Sequence, residues 1–374
     1  MEDRHGSPKP NAGAGMSAAL VIGKFYPPHR GHVRLLEFAL VHREIVVVLC
    51  AGSTTDSLPP ESRLDALFED AKSAGIDSTQ LIGRAAYDET PFDTDDPSVW
   101  ASHVKVFEAM LEGLPSVDIV VTSEGYGEEL ASRMGLIHVD FDSHRKLVPL
   151  SSTEIRENPL DHWDALGPGT KRTLAARVVI LGAESTGTTT ISERLTDALH
   201  RRGQPWSLVR MVKEYGRELT EQKQRAVEGT TGRAPLSVQW DVNDFKHVSV
   251  QQHEMEEAAA ASGGPVVVCD TDALATTVWE RRYLGDSYAE LDPTTLGMGD
   301  VYLLTHHEGV PFVQDGTRDG EHVRASMTQQ FASLLVQHQR PFAVLTGTLE
   351  DRLNLALRIT DQTVARKLSF REPI

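Results

Sequence analysis

Gly23-Lys24-Phe25-Tyr26-Pro27-Pro28-His29-Arg30-Gly31-His32 is the stretch on which the reading of this chain turns. Directly before it runs Ala18-Ala19-Leu20-Val21-Ile22, a continuous apolar segment of the kind that makes a buried strand. After it Val33, Leu35, Leu36, Phe38, Ala39, Leu40 and Val41 recur as in a helix. The sequence thus predicts a Gly/Pro loop with two histidines at a strand-to-helix turn. Gly23 and Gly31 allow backbone to approach a ligand closely. A helix N-terminus offers free N–H groups and positive dipole to an anion. His29 and His32 can bring imidazoles to that same anion, so the turn reads as a phosphate site, and the pair suits a triphosphate whose leaving group is pyrophosphate. As a metal site the pair is short of ligands, because no third Cys or His lies nearby.

A second turn of the same kind follows Val178-Val179-Ile180-Leu181. There Gly182-Ala183-Glu184-Ser185-Thr186-Gly187-Thr188-Thr189-Thr190 opens an apolar-periodic helix through Ile191, Leu195 and Leu199. It fits G-x-x-x-x-G-K-[ST] except that Thr188 stands where the Lys belongs. Loop amides can still cradle ATP phosphates, and Thr189 can still hold Mg²⁺. Val266-Val267-Val268-Cys269-Asp270-Thr271-Asp272 reads as a buried strand ending in acids. Asp270 is placed to serve Mg²⁺ or the hydroxyl being phosphorylated, and Asp272 to hold a substrate ribose.

Strand-like runs at 20–23, 45–49, 118–122, 178–182, 266–270, 301–305 and 342–346 alternate with helical patterns. That alternation predicts an α/β chain of two domains, each a parallel sheet flanked by helices. The expected boundaries are a disordered tail over 1–17, a first domain over 18–160, a linker over 161–175 and a second domain over 176–374. Pro159, Gly167, Pro168 and Gly169 mark the joint.

Within the first domain, Pro149-Leu150-Ser151-Ser152-Thr153-Glu154-Ile155-Arg156 offers Ser151 or Ser152 as a helix cap. Arg156 lies one turn in and can neutralise β/γ-phosphate charge. Trp100 is read in a polar loop, where it either stacks on a flat ring such as nicotinamide or packs on its own helix. Ser123 and Glu124 follow a strand at the carboxyl edge, where α/β sheets bind ligands. Lys24 and Arg63 are either further phosphate groups or solvated surface charges. In the second domain, Gln314-Asp315-Gly316-Thr317-Arg318-Asp319-Gly320 is a polar, Gly-hinged loop ending in a cation, with Arg324 beyond it.

Composition narrows the classes. The 374 residues carry a formal charge of −17, with 40% hydrophobic and 24% charged residues. No Lys/Arg-rich block is evident, which argues against a nucleic-acid partner. No apolar run approaches the length of a membrane span, and the polar N-terminal residues are not a secretory signal. Cys50 and Cys269 each end a Val-rich run, as buried cysteines of a reducing, cytoplasmic compartment would. A homo-oligomer is left open.

The first turn resembles the GxFxPxHxGH signature of the nucleotidyltransferase superfamily, and 150–156 resembles its ISSTxxR motif with Leu150 for the usual Ile. More narrowly, 23–32, Thr122-Ser123-Glu124-Gly125-Tyr126-Gly127-Glu128-Glu129-Leu130, and 148–159 running into His162-Trp163 resemble the bifunctional nicotinamide mononucleotide (NMN) adenylyltransferases of the NadR type. The resemblance implies a Rossmann-like nucleotidyltransferase domain that makes NAD and pyrophosphate from NMN and ATP. Gly23, Lys24, Phe25, His29, His32, Ser151, Ser152, Thr153 and Arg156 would bind ATP, and Trp100, Ser123 and Glu124 would bind NMN. It further implies a P-loop ribosylnicotinamide kinase, with Gly182 and 184–190 (Glu184, Ser185, Thr186, Gly187, Thr188, Thr189, Thr190) on ATP. Glu214, Tyr215, Asp270 and Asp272 would then meet ribosylnicotinamide; Glu214-Tyr215-Gly216-Arg217 resembles the family's EYxR stretch. Arg318 would act from the lid, with Arg324 a second candidate, and the expected cofactor is Mg²⁺. Some members carry an N-terminal DNA-binding module, for which residues 1–17 leave no room. Two other readings stay open: a nucleotide-sensing regulator whose second domain only binds, and a transferase for another phosphorylated acceptor.

Overall fold

The computed structural model describes residues 17–91, 93, 95–231, 238–285, 298–312 and 321–373. Residues 1–16 of the tail expected over 1–17, and the loop with Arg318, lie outside the described residues. The chain forms two compact units. The first holds Met1–Glu157, Ala165–Thr170 and Phe370–Ile374, and the second holds Asn158–Asp164 and Lys171–Ser369.

In the first unit β1 (Ala18–Gly23), α1 (Arg30–His42), β2 (Val46–Gly52), α2 (Pro60–Ser73), β3 (Leu81–Tyr87), α3 (Pro97–Leu111), β4 (Val117–Thr122), α4 (Gly127–Met134), β5 (Ile137–Asp140) and α5 (Ser152–Glu157) follow one another. The strands pair in parallel in the order β3-β2-β1-β4-β5. β1 and β2 are central and read as unbroken apolar runs because both their faces are covered. Leu20 and Val47 are register partners, and so are Gly23 and Cys50. The order reverses at β1, so the crevice beyond its carboxyl end is where this sheet places a ligand. The expected strands at 20–23, 45–49 and 118–122 fall on β1, β2 and β4. β3 and β5 were not foreseen. β3 carries Gly83 and Arg84, and β5 is four residues long at a sheet edge with Ile137 exposed.

α6 (Pro168–Leu174) leads into the second unit, where β6 (Ala176–Gly182), α7 (Thr188–His200), β7 (Arg210–Val212), α8 (Tyr215–Thr231), α9 (Val242–Ser262), β8 (Val266–Asp270), α10 (Ala273–Leu284), β9 (Val301–Thr305), α11 (Arg324–Gln337), β10 (Phe342–Leu345) and α12 (Leu349–Lys367) follow. These strands are also all parallel, in the order β10-β9-β6-β8-β7. β6, fully buried, is again the strand at which the order reverses.

The stretch 161–175, expected as a linker, is folded. Trp163 is buried and its indole N–H donates to the Gly263 carbonyl at 3.1 Å. The Asp70 carboxylate accepts from the Gly169 N–H at 2.7 Å and the Thr170 hydroxyl at 2.6 Å. Cys50 and Cys269 are free and fully buried on β2 and β8. Burial pushes the Cys50 thiol up to about 12, so it is an inert core group. Among the described residues, no helix is long and apolar enough to cross a membrane.

Candidate active sites

Beyond the carboxyl end of β1 the first unit holds a cavity of about 490 Å³. His29 is the N-cap of α1, and its Nδ1 accepts from the Gly31 N–H at 3.0 Å. His32 turns its own Nδ1 onto the His29 N–H at 3.2 Å. The two imidazoles therefore make a capping box, a role usually filled by a hydroxyl and a carboxylate. Because each Nδ1 accepts, the proton of each neutral ring sits on Nε2. Burial, then Arg145 and Arg30, pushes His29 down to about 4. Burial, then His29 and Arg145, holds His32 well below the ordinary histidine range. At neutral pH the cavity is thus lined by two uncharged rings, 3.9 Å apart, each with an Nε2–H to donate.

The glycines of this turn also leave space that its own side chains fill. A Cβ on Gly31 would lie 2.7 Å from His29 Cε1, and one on Gly23 would lie 3.0 Å from the Phe25 ring. They make room for the motif's own side chains. One amide of the α1 N-terminus is likewise already taken by His29.

Arg156 reaches the loop from α5. Its guanidinium donates to the Tyr26 carbonyl at 2.8 Å and to Thr153 Oγ1 at 3.2 Å, while its Nε is buried without a hydrogen-bond partner. Ser151 is the capping residue, paired with Glu154, and Ser152 instead donates to the Pro27 carbonyl at 3.1 Å. The two motifs are therefore joined through loop carbonyls. Lys24 also lines the cavity, and burial first of all lowers its pKa. Trp100 lies in the first turn of α3, behind the Asp96 cap, rather than in a loop. It is buried, edge-on to Tyr126 at 6.0 Å, and it lines the cavity. Ser123 and Glu124 follow β4 into the same cavity, with Glu124 3.1 Å from Arg145.

Arg63 is neither of the things expected of it. It is 1% exposed, donates to the carbonyls of Lys24 and Leu58, pairs with Asp56, and lies 4.3 Å over the Tyr26 ring. It braces the loop from below, and Gly52 is required beside it because a Cβ there would lie 2.9 Å from the guanidinium.

In the second unit the phosphate loop bends through Ser185 (φ 55°) and Gly187 (φ 91°), and Thr188 opens α7. A Cβ on Gly182 would lie 2.1 Å from Thr305 Oγ1, so the loop's first position admits no side chain. Thr186 bonds Thr305 Oγ1 at 2.6 Å. Thr189 donates to Asp270 Oδ2 at 2.6 Å, which brings the hydroxyl of the loop to the acid at the end of β8. That hard-oxygen pair fits Mg²⁺, which commonly takes one or two protein oxygens and completes its shell with phosphate and water. Burial raises Asp270, and the Thr189 and Thr188 hydroxyls oppose that rise. Glu184 pairs with Arg282 at 2.9 Å, and Thr190 follows on α7.

Two expectations for this unit change. Asp272 is 1% exposed and already committed: Oδ1 caps α10 at the Ala275 N–H, 2.9 Å away, and Oδ2 accepts from the Tyr302 hydroxyl at 2.6 Å. No oxygen is left facing a ribose. Arg324 donates to the carbonyls of Ser185, His307 and Val310 at 3.0–3.1 Å, so it anchors the phosphate loop from behind. Tyr215 opens α8, with its N–H on Gln252 Oε1 and its hydroxyl 3.0 Å from His247, beside half-buried Glu214.

Comparison with known proteins matches residues 20–158 to the cytidylyltransferase-like family and residues 177–352 to an AAA domain family. The trifunctional NAD biosynthesis/regulator protein NadR of Escherichia coli K12 is 25% identical over 339 residues, 85% of this chain and 75% of that protein. The protein of the same name from Salmonella typhimurium LT2 is 24% identical over 315 residues, 80% and 71% of the two chains. The chain is similar to NadR over most of its length. A crystal structure of NadR in complex with NAD and AMP-PNP superposes with a TM-score of 0.61 at 20% identity, over 96% of this chain and 98% of that one. The NadR structure in complex with NR gives the same score at 21% identity and the same coverage. The two-domain fold is thus that of NadR.

Several cavity residues were not singled out from the sequence. Arg145, held with φ 51° and donating to the Leu150 carbonyl at 2.9 Å, adds its positive charge to the burial that lowers both histidines. His103 and Asp88 pair at 2.5 Å in the cavity wall. Neither belongs to a recognisable local pattern. His103 on α3 and Asp88 beyond β3 meet only because the sheet places β3 beside α3.

Proposed function

We propose that the first unit transfers the adenylyl group of ATP to NMN, giving NAD and pyrophosphate. The observation that carries this reading is that the capping-box histidines His29 and His32 line one cavity together with Arg156 and Trp100. The NMN phosphate oxygen attacks the α-phosphorus in line, the bond to the bridging oxygen of the β-phosphate breaks, and pyrophosphate leaves with the electron pair. No side chain needs to become a nucleophile. The His29 and His32 Nε2–H groups and Arg156 stabilise charge on the triphosphate, so catalysis is positioning plus electrostatics. Of the residues that line the cavity, Lys24, Ser151, Ser152 and Thr153 would meet the triphosphate, and Trp100, Ser123 and Glu124 would meet NMN. Mg²⁺ would travel with the triphosphate and neutralise part of its charge. Pyrophosphate release against a panel of phosphorylated acceptors tests this: the rate should be greatest with NMN or its acid analogue, and preference for an unrelated acceptor refutes it.

For the second unit we propose phosphorylation of the ribose 5′-hydroxyl of ribosylnicotinamide by ATP, which would feed NMN to the first. The Thr189–Asp270 contact and the names of the curated relatives, NAD biosynthesis proteins, support it. Thr189 and Asp270 would hold Mg²⁺. Thr188 favours a second reading, a unit that binds nucleotide without turnover, because its short neutral side chain cannot bridge β- and γ-phosphates as Lys does. Arg318 remains the proposed replacement cation. Ribosylnicotinamide phosphorylation by the natural chain, Thr188→Lys and Arg318→Ala separates the two: no turnover with ATP still bound leaves the binding role.

A further inference from the structure

The residues that follow α12 return to the first unit and lie against its nucleotide cavity. Phe370 sets the edge of its ring on Tyr26, with centroids 5.5 Å apart and an interplanar angle of 84°. The Arg371 N–H donates to Ser57 Oγ at 2.9 Å, and the Ser57 N–H donates to the Tyr26 hydroxyl at 2.8 Å. Glu372 places a carboxylate oxygen 3.9 Å from the Arg156 guanidinium, and Pro373 lines the cavity. Tyr26 in turn holds Arg156: its carbonyl accepts from the guanidinium at 2.8 Å and its ring lies 5.3 Å beneath it. Tyr26 is 1% exposed, so its ring has no solvent-filled space to swing into while Phe370 is in place.

We propose that 370–373 form a wall of the nucleotide site in which Phe370 is a positioning residue for Arg156, acting through Tyr26. Besides its bond to Thr153 Oγ1, Arg156 is held by a carbonyl and a ring face that belong to one residue, so displacement of Tyr26 displaces the guanidinium. The segment does this from a place far from both nucleotide motifs in the chain. Its exposed Glu372 side chain supplies the anion at Arg156 until a phosphate takes that place. The described contacts of the segment fall on Tyr26, Thr55, Ser57 and Arg156, so the binding of an acceptor beside Trp100 should change less than that of the triphosphate.

The kinetic test rests on the adenylyl-transfer reading and uses the full chain with Phe370→Ala and Phe370→Tyr. In NMN-dependent pyrophosphate release, Phe370→Ala should raise KM for ATP about tenfold while KM for NMN stays within about twofold. Phe370→Tyr, which keeps the ring edge, should restore the ATP value. A purely structural role would lower the melting temperature and kcat and leave both KM values alone. A folded Phe370→Ala chain with an unchanged KM for ATP overturns the proposal. If Phe370→Ala does not fold, Phe370→Leu takes its place with the same two criteria. If the natural chain releases no pyrophosphate, the functional reading has failed, and amide exchange decides the positioning claim. Peptides spanning 24–31 and 152–157 should then exchange faster in the variant, and equal exchange overturns it.

Discussion

His29 and His32 each spend one ring nitrogen on the backbone, which leaves Nε2–H as the donor each can offer a ligand. Removing one donor of this kind from a preorganised site typically costs about 10²–10³ in rate. His32→Ala should therefore lose NAD formation by about that factor while near-ultraviolet dichroism stays native; a folded variant with full activity removes His32 from the mechanism. The same burial makes a pH prediction. His29 falls from 6.5 to about 4 in the folded chain. Below pH 6.5 the unfolded chain binds a proton that the folded chain refuses, so stability is present above that pH and declines as pH drops toward 4. The full loss is up to about 3 kcal/mol by linkage. Thermal melts of the natural chain and His29→Asn from pH 7 to 4 check this: the natural chain should lose more stability across the window. Arg63 and Asp272 show at this scale why a charged residue near a motif is ambiguous in sequence. Both looked available for ligand, and both are buried and bonded to the protein.

At the scale of elements, each site is a strand, a tight loop and the start of a helix, and this was readable because every part is local. Apolar runs of Val, Leu and Ile made β1, β2, β6 and β8 plain, and Gly-rich turns marked what followed them. The missed strands are those whose burial is partial or whose length is short, β3, β5 and β7, where no local pattern outweighs the alternatives. Asp272 belongs here as a helix cap. Asp272→Ala removes the α10 cap and strands the Tyr302 hydroxyl, and should lower the stability of the chain by about 2–3 kcal/mol. ATP binding to the second unit should stay unchanged at temperatures where the variant is folded. Denaturant titration beside nucleotide titration reads both; unchanged stability with weakened ribosylnicotinamide affinity would return Asp272 to the substrate. Trp100 was misplaced for a related reason. The acids before it read as loop, whereas Asp96 and Pro97 are the cap and first residue of α3.

At the scale of the molecule, the first unit is not one continuous segment, because Ala165–Thr170 and Phe370–Ile374 belong to it as well. A cut within 167–170, which the Pro/Gly cluster invites, would leave Asp70 without the Gly169 and Thr170 donors that hold its carboxylate. A fragment of 17–166 should be less stable than one of 17–170 by about 1–2 kcal/mol, the cost of a stranded acceptor partly relieved by water. Asp70→Ala should erase the difference between the two fragments. Equal midpoints in denaturant for the two unmodified fragments would show that Asp70 and its partners add nothing.

The amino-acid sequence by itself determined two parallel α/β sheets, each with a phosphate-type turn after its first strand. Those features depend on neighbours within a dozen residues, where hydrophobic period and glycine placement act directly. It also placed His29, His32, Ser151, Ser152 and Arg156 in two motifs. Only the tertiary structure decided that Ser152 and Arg156 bond the carbonyls of the histidine loop, and that Arg145, Asp88 and His103 share the cavity. It alone showed that Arg324 and Asp272 are spent on the protein and that Phe370 closes on Tyr26. Such pairings join residues far apart in the chain, and what selects them is the cost of burying a polar group without a partner, which no local stretch of sequence expresses.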